Sequence, residues 1–180
     1  MTPLITDNFL EPNEFQNLQI LMFGEDLPWY YMDKIDYLDD KDRFQFTHAF
    51  YDNDQGATSE HYKMFDFIFE EAKATKLYRI KANLLTRTSS IQEYSFHTDI
   101  GDLNDSPEKL KQWTTSIFYI NTNNGYTKFE DGTKVESVAN RMVTFPANMK
   151  HCGTSCTDEK KRIVINFNYF EITHKRWISW

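Results

Sequence analysis

His97 and Asp99 stand two residues apart in the run YSFHTD, Tyr94 to Asp99. On extended backbone, positions i and i+2 project from one face, so an imidazole and a carboxylate at this spacing can reach a common point. Chance alone puts an acid two residues after at least one of five histidines roughly half the time. A structural ion pair is the competing reading unless a third partner exists. His151 is that candidate. It follows a run that ends at Pro146, far enough downstream for intervening antiparallel strands to return the chain across a sheet. Two neutral imidazoles and a carboxylate on one face of an octahedron suit Fe(II) and leave open positions. The same ligands also suit zinc with three protein ligands and a water, and ligand types alone do not separate the two.

The fourth candidate is Arg162, at the head of the run RIVINFNYF, Arg162 to Phe170. Strict alternation places Arg162, Val164 and Asn166 on one face, turned either to solvent or inward to an anion. Turned inward, a guanidinium needs a carboxylate partner, and its fork suits a dicarboxylate better than a lysine does. Tyr94, Asn83, Tyr119, Thr154 and Asn166 are further candidates for lining such a pocket. Cys152 and Cys156 have no second pair and do not make a zinc knuckle. His48, His61 and His174 have no partner pattern and read as surface or helix residues.

Something must position these groups. With 180 residues, 40% hydrophobic and only six Gly and five Pro, the chain reads as one folded domain rather than a linker or a disordered segment. Fifteen Phe, ten Tyr and four Trp favour strands and a packed interior. A net charge of -7 gives no support to nucleic-acid binding. The N-terminus carries no basic-then-apolar signal and no long apolar run occurs, so the expectation is a cytoplasmic protein with no membrane partner. Two cysteines four residues apart fit a reducing compartment.

The elements expected are a short strand near Leu4, then a helix from Pro12 with Phe15, Leu18, Leu21 and Met22 on one stripe, ending near Gly24. A second helix is expected after Thr58 or Ser59, with Tyr62, Phe65, Phe69 and Ala72 on one face. The helical front thus covers about 1–78. From Ile80 the period changes to two, and strands are expected at Thr114–Ile120, Tyr126–Glu130, Thr133–Val138, Arg141–Phe145 and Arg162–Phe170, with Asp131 and Gly132 as a two-residue hairpin turn. The β-core covers about 79–170, an antiparallel sandwich or open barrel. Asp33 to Asp42 reads as a solvated acidic loop. Met32–Gln55 and Gly101–Gln112 are candidate lids.

His97, Thr98 and Asp99, then His151, then Arg162 in a β-rich half behind a helical front resemble the 2-oxoglutarate and Fe(II)-dependent oxygenases. The likeness is greatest to the prolyl-hydroxylase-like branch, which includes small members encoded by bacteriophages. Tyr94 matches a tyrosine that often precedes the first metal ligand, and Asn121 to Phe129 with Gly125 is similar to the turn and strand after the metal-bearing hairpin. The resemblance implies a mainly β fold with flanking helices, a double-stranded β-helix (jelly-roll, cupin-like) core. It implies Fe(II) held by His97, Asp99 and His151, with 2-oxoglutarate as cosubstrate and dioxygen as oxidant. Arg162 would bind the far carboxylate, with Tyr94, Asn83 and Asn166 beside it. The implied reaction is hydroxylation of a C–H bond with release of succinate and carbon dioxide, on a peptide or small-molecule substrate, peptidyl proline first. Two other classes remain open: a noncatalytic binding module on the same fold, and a zinc-dependent cupin-like enzyme.

Overall fold

The computed structural model describes residues 2–35, 43–101 and 106–171. The chain opens with strand β1 (Leu4–Thr6) and helix α1 (Pro12–Phe23). Pro12 sits in the first turn, where its missing N–H costs nothing. Leu18 and Met22 are buried, with Phe15 and Leu21 packed beside them. The next strands are β2 (Tyr30–Met32), β3 (Gln45–Asp52), β4 (Gly56–Ala57) and the long β5 (Ala74–Thr86). After the short helix α3 (Pro107–Leu110) come β6 (Trp113–Tyr119), β7 (Tyr126–Phe129), β8 (Lys134–Glu136), β9 (Arg141–Pro146), β10 (His151–Gly153) and β11 (Lys161–Glu171).

These strands form two antiparallel sheets. The larger runs β1-β9-β6-β11-β5-β3-β2, with β4 hydrogen-bonded to β3, and the smaller runs β10-β7-β8. Strand β11 lies between β5 and β6, and both its faces are buried. Because side chains alternate, Ile163, Ile165, Phe167 and Tyr169 join the helix-side core with Leu18, Met22 and Phe118. Val164 faces the other way and packs with Ile117, Tyr119, Phe129, Val143 and Phe145 between the sheets. Strand β5 repeats the rule: Ile80 and Ala82 belong to the helix-side core, while Lys81, Asn83 and Leu85 line a cavity between the sheets. The helix-side core is a chain of ring contacts, Phe15 on Phe118, Phe118 on Phe67 and Phe67 on Phe167. Each such ring buried is worth about 1.5–3 kcal/mol.

The front half carries more strand than expected. Strand β3 runs beside β5, and β5 starts at Ala74, so residues 1–78 are not simply helical. The register shift between Ala49 and Tyr51 breaks the alternation that would have announced β3. Only parts of the Met32–Gln55 lid segment therefore remain loop. Its residues 36–42, and residues 102–105 of the Gly101–Gln112 segment, lie outside the described residues. The second helix is also different: a 3-10 turn, Glu60–Phe65, capped by Ser59, leads into the four-residue helix α2 (Phe67–Glu70). Phe65, Ile68 and Ala72 are buried and Phe69 is exposed. Aromatic and β-branched residues are poor helix formers, so the segment breaks into two short turns although Phe65, Ile68 and Ala72 keep a helix-like spacing inward.

The β7–β8 hairpin has a three-residue loop rather than two. The Gly132 N–H donates to the Phe129 carbonyl, Gly132 has φ 88°, and the Asp131 carboxylate accepts from the Thr133 N–H. That is a type I turn closed by a left-handed glycine. Among the described residues no helix is long and apolar enough to cross a membrane.

Candidate metal centre

His151 opens β10, and the segment holding His97 pairs with it through an isolated antiparallel bridge. Each residue's N–H donates to the other's carbonyl at 3.0 Å, which sets the two imidazoles 4.9 Å apart. The expected regular strand from His97 to Asp99 is absent; beyond the bridge, residues 98–100 lie outside any strand. Nδ1 of His97 lies 3.0 Å from the Ser95 carbonyl and Nδ1 of His151 lies 3.2 Å from the Met149 carbonyl. A carbonyl only accepts, so each Nδ1 carries the proton and each Nε2 presents a lone pair, the tautomer a metal-binding imidazole needs. Nε2 of His97 is 3.9 Å from Asp99 Oδ1, and Nε2 of His151 is 3.8 Å from Asp99 Oδ2. One ligand atom from each of the three residues lies within 4.8 Å of the others.

The electrostatics fit a cation. Burial works to raise the Asp99 carboxyl, but His151, the Arg79 guanidinium, His97 and the Asn168 amide outweigh it and hold the carboxyl below the usual range. Burial pushes the His151 imidazole down to about 4 against the upward pull of Asp99, so it is neutral near pH 7. Its Nε2 is buried with no hydrogen-bond partner, the kind of orphaned lone pair that a bound metal would satisfy. The unfolded chain binds this proton near 6.5 and the folded chain only at about 4. Stability of the metal-free protein should therefore fall as pH falls through that window, by up to about 1.4 kcal/mol per unit. Urea titrations at several pH values check this, and His151→Gln is expected to flatten the slope.

Arg162 stands deeper in the same cavity, only 2% exposed. Its Nε donates to Ser137 Oγ at 2.8 Å, and its Nη2 lies 3.5 Å from Thr127 Oγ1. Its guanidinium carbon sits 5.7 Å above the centre of the Tyr119 ring. Tyr119 donates its hydroxyl to Thr127 at 2.8 Å, which leaves the Thr127 proton available to the cavity. Burial lowers the Arg162 pKa, and among the described residues no carboxylate pairs with it. A buried cation without its counter-charge is costly, and an anion from outside would lower that cost.

Gly125 makes room for this arginine. A Cβ there would meet the Ser155 carbonyl at 2.7 Å and Arg162 Cδ at 2.8 Å. Gly125→Ala is therefore expected to cost about 1–3 kcal/mol, the usual range for overpacking. Chemical denaturation measures it, and an unchanged midpoint would refute the clash.

The remaining sequence candidates divide. Asn83 and Tyr94 line the cavity beside His97, Asp99 and Arg162. Asn166 lines it too, and its amide donates toward Asp99 Oδ1 at 3.4 Å. Tyr119 is fully buried beneath Arg162. Thr154 does not reach the cavity: it is fully buried, and its hydroxyl accepts from the Tyr126 N–H and bonds backbone carbonyls. Cys152 and Cys156 are free and buried. His48 is not a surface residue but a buried one on β3, its Nδ1 2.7 Å from the Pro28 carbonyl. His61 lies on the 3-10 turn and His174 is outside the described residues. Arg79, Asn168, Thr127 and Ser137 were not expected. Strand parity could have found Asn168, since it shares a face with Arg162 and Asn166.

The sequence matches no family model and no curated protein. The fold has many relatives among solved structures. An oxidoreductase of the 2OG-Fe(II) oxygenase family from Burkholderia pseudomallei is similar with a TM-score of 0.68, covering 93% of this chain and 84% of that one at 10% identity. A prolyl hydroxylase from Trichoplax adhaerens, in complex with a hypoxia-inducible-factor peptide, gives 0.61 over 94% and 83% at 14% identity. HygX from Streptomyces hygroscopicus, with nickel, 2-oxoglutarate and hygromycin B bound, gives 0.61 over 98% and 85% at 9% identity. At such low identity the property shared is the architecture: this chain has the double-stranded β-helix fold of the 2-oxoglutarate–Fe(II) oxygenases.

Proposed function

We propose that the protein is a 2-oxoglutarate- and Fe(II)-dependent oxygenase that hydroxylates a C–H bond, with succinate and carbon dioxide as coproducts. The observation that carries this reading is one cavity holding both a convergent His97, Asp99 and His151 donor set and a buried guanidinium that no carboxylate among the described residues pairs with. A dicarboxylate that also binds metal answers both needs at once. His97, Asp99 and His151 would hold Fe(II), which supplies the oxidative chemistry when bound. Arg162, with the Thr127 hydroxyl, would fix the far carboxylate of 2-oxoglutarate by charge-assisted hydrogen bonds. Tyr94 and Asn83 would border the cosubstrate, and Asn166 would steady Asp99 from the same wall. Val164, Ile117 and Leu85 line the cavity as well, and such apolar walls strengthen charge pairing beside them.

For substrate we favour a peptidyl proline over a small molecule. The support is the fold shared with a prolyl hydroxylase whose structure holds a peptide. HygX, with hygromycin B bound, is the reminder that the same architecture also serves small molecules. Anaerobic addition of Fe(II) and then 2-oxoglutarate is expected to give a weak visible charge-transfer band. Admitting oxygen with proline-containing peptides should then release succinate in step with peptide hydroxylation. No band and no succinate would remove this reading, whereas a band with succinate only on small metabolites would remove the peptide.

A further inference from the structure

The Asp99 side chain is gripped from the large sheet by hydrogen bonds. Asp99 stands on irregular backbone, yet its side chain is only 4% exposed. Arg79 on β5 and Asn168 on β11 are direct cross-strand partners, and both reach across to it. Arg79 Nη2 donates to Oδ1 at 3.2 Å, Asn166 Nδ2 to Oδ1 at 3.4 Å, and Asn168 Nδ2 to Oδ2 at 3.2 Å. Asn168 is itself fixed, its Nδ2 also lying 3.0 Å from Thr115 Oγ1.

A carboxylate offers about four acceptor sites, two on each oxygen. Among the described residues Oδ1 receives two donors, which fill it, and Oδ2 receives one, which leaves a single site. Oδ2 is also the oxygen 3.8 Å from the unpartnered Nε2 of His151. We propose that Arg79 is a positioning residue which, with Asn166, saturates Oδ1 of Asp99 and so confines this carboxylate to one metal position, through Oδ2. The inference rests on the metal-centre reading above and extends it. Three protein atoms leave three of six octahedral positions, two for a chelating 2-oxoacid and one more. A carboxylate free to turn and bind through both oxygens would take one of those. Arg79 thus guards vacancy at the metal rather than binding the metal itself.

Ni(II), a redox-inert stand-in, tests this by calorimetric titration of the metal-free protein, followed by 2-oxoglutarate, and by crystal structures of the Ni(II) complexes. In the wild type Asp99 should bind through Oδ2 alone. In Arg79→Gln, Asp99 should bind through both oxygens, and 2-oxoglutarate affinity of the Ni(II) form should fall about 10- to 100-fold, the range for outer-shell partners. Arg79→Lys, which restores the charge and one donor, should lie between the two and serves if the glutamine variant does not fold. A merely structural role would lower the melting temperature of the metal-free variants and leave 2-oxoglutarate affinity and Asp99 geometry as in the wild type, which overturns the proposal. Wild-type ligation through Oδ1 overturns it as well. Failure of the wild type to bind Ni(II) at these three residues overturns the metal centre itself, a result distinct from the other two.

Discussion

Asp99→Ala is expected to weaken Fe(II) binding by more than about a hundredfold, beyond the upper end of what losing an outer-shell partner costs, and to abolish 2-oxoglutarate turnover. The carboxylate is the only anionic member of the donor set, and two imidazoles remain without it. The change also strips Arg79 of its ion pair at 3.2 Å. A fifth of that side chain is exposed, so the cost in stability should stay below the ~3–5 kcal/mol seen when fully buried pairs are broken. Metal titration and melting of the metal-free variant separate the two effects. Near-native Fe(II) affinity would show that the three side chains do not form one centre.

Arg162→Met should uncouple affinity from stability in the opposite sense. Two charge-assisted hydrogen bonds to a carboxylate are worth about 3 kcal/mol or more, so 2-oxoglutarate binding to the Ni(II) form should weaken at least about a hundredfold. The ligand-free protein, however, should be as stable as the wild type or more so. Arg162 is buried, burial lowers its pKa, and no carboxylate pairs with it among the described residues. Replacing a buried charge with a methionine stem removes that desolvation penalty. Calorimetry and a thermal melt on one variant read both. Unchanged 2-oxoglutarate affinity would mean that the guanidinium answers some other need.

How much of this was legible in the sequence follows from what each residue depends on. Histidine is scarce, five in the chain, so His97 and His151 draw notice without knowledge of the register, with Asp99 beside the first of them, and β11 alternates so cleanly that Arg162, Val164 and Asn166 could be put on one face. The strands expected in the second half emerged to within one or two residues at each end, but the short β10, which carries His151, was not among them. Strand β3 did not, because an irregular register at Ala49 and Tyr51 hides its period. Nor did the second helix, where Phe65 and Ile68 are inward on two different short turns. Arg79, Thr127 and Ser137 were invisible for another reason. Each meets its partner only once the chain is folded, Arg79 at Asp99 and Thr127 and Ser137 at Arg162, and no local pattern announces a contact so distant in sequence. Asn166 shares the face of Arg162, lines the cavity and also reaches Asp99, a contact that its parity did not announce.

Strand β11 splits its labour by parity. Odd positions from Ile163 to Tyr169 knit the sheet to the helices, while Arg162, Val164, Asn166 and Asn168 face the cavity and its floor. Selectivity and robustness are thus written on alternate letters of one word. If the proposed function holds, Arg162, Asn166 and Asn168 could be respelled to suit a different acid or metal while Val164 and the odd positions keep the molecule folded, so this strand is where a new chemistry could be grafted onto the scaffold.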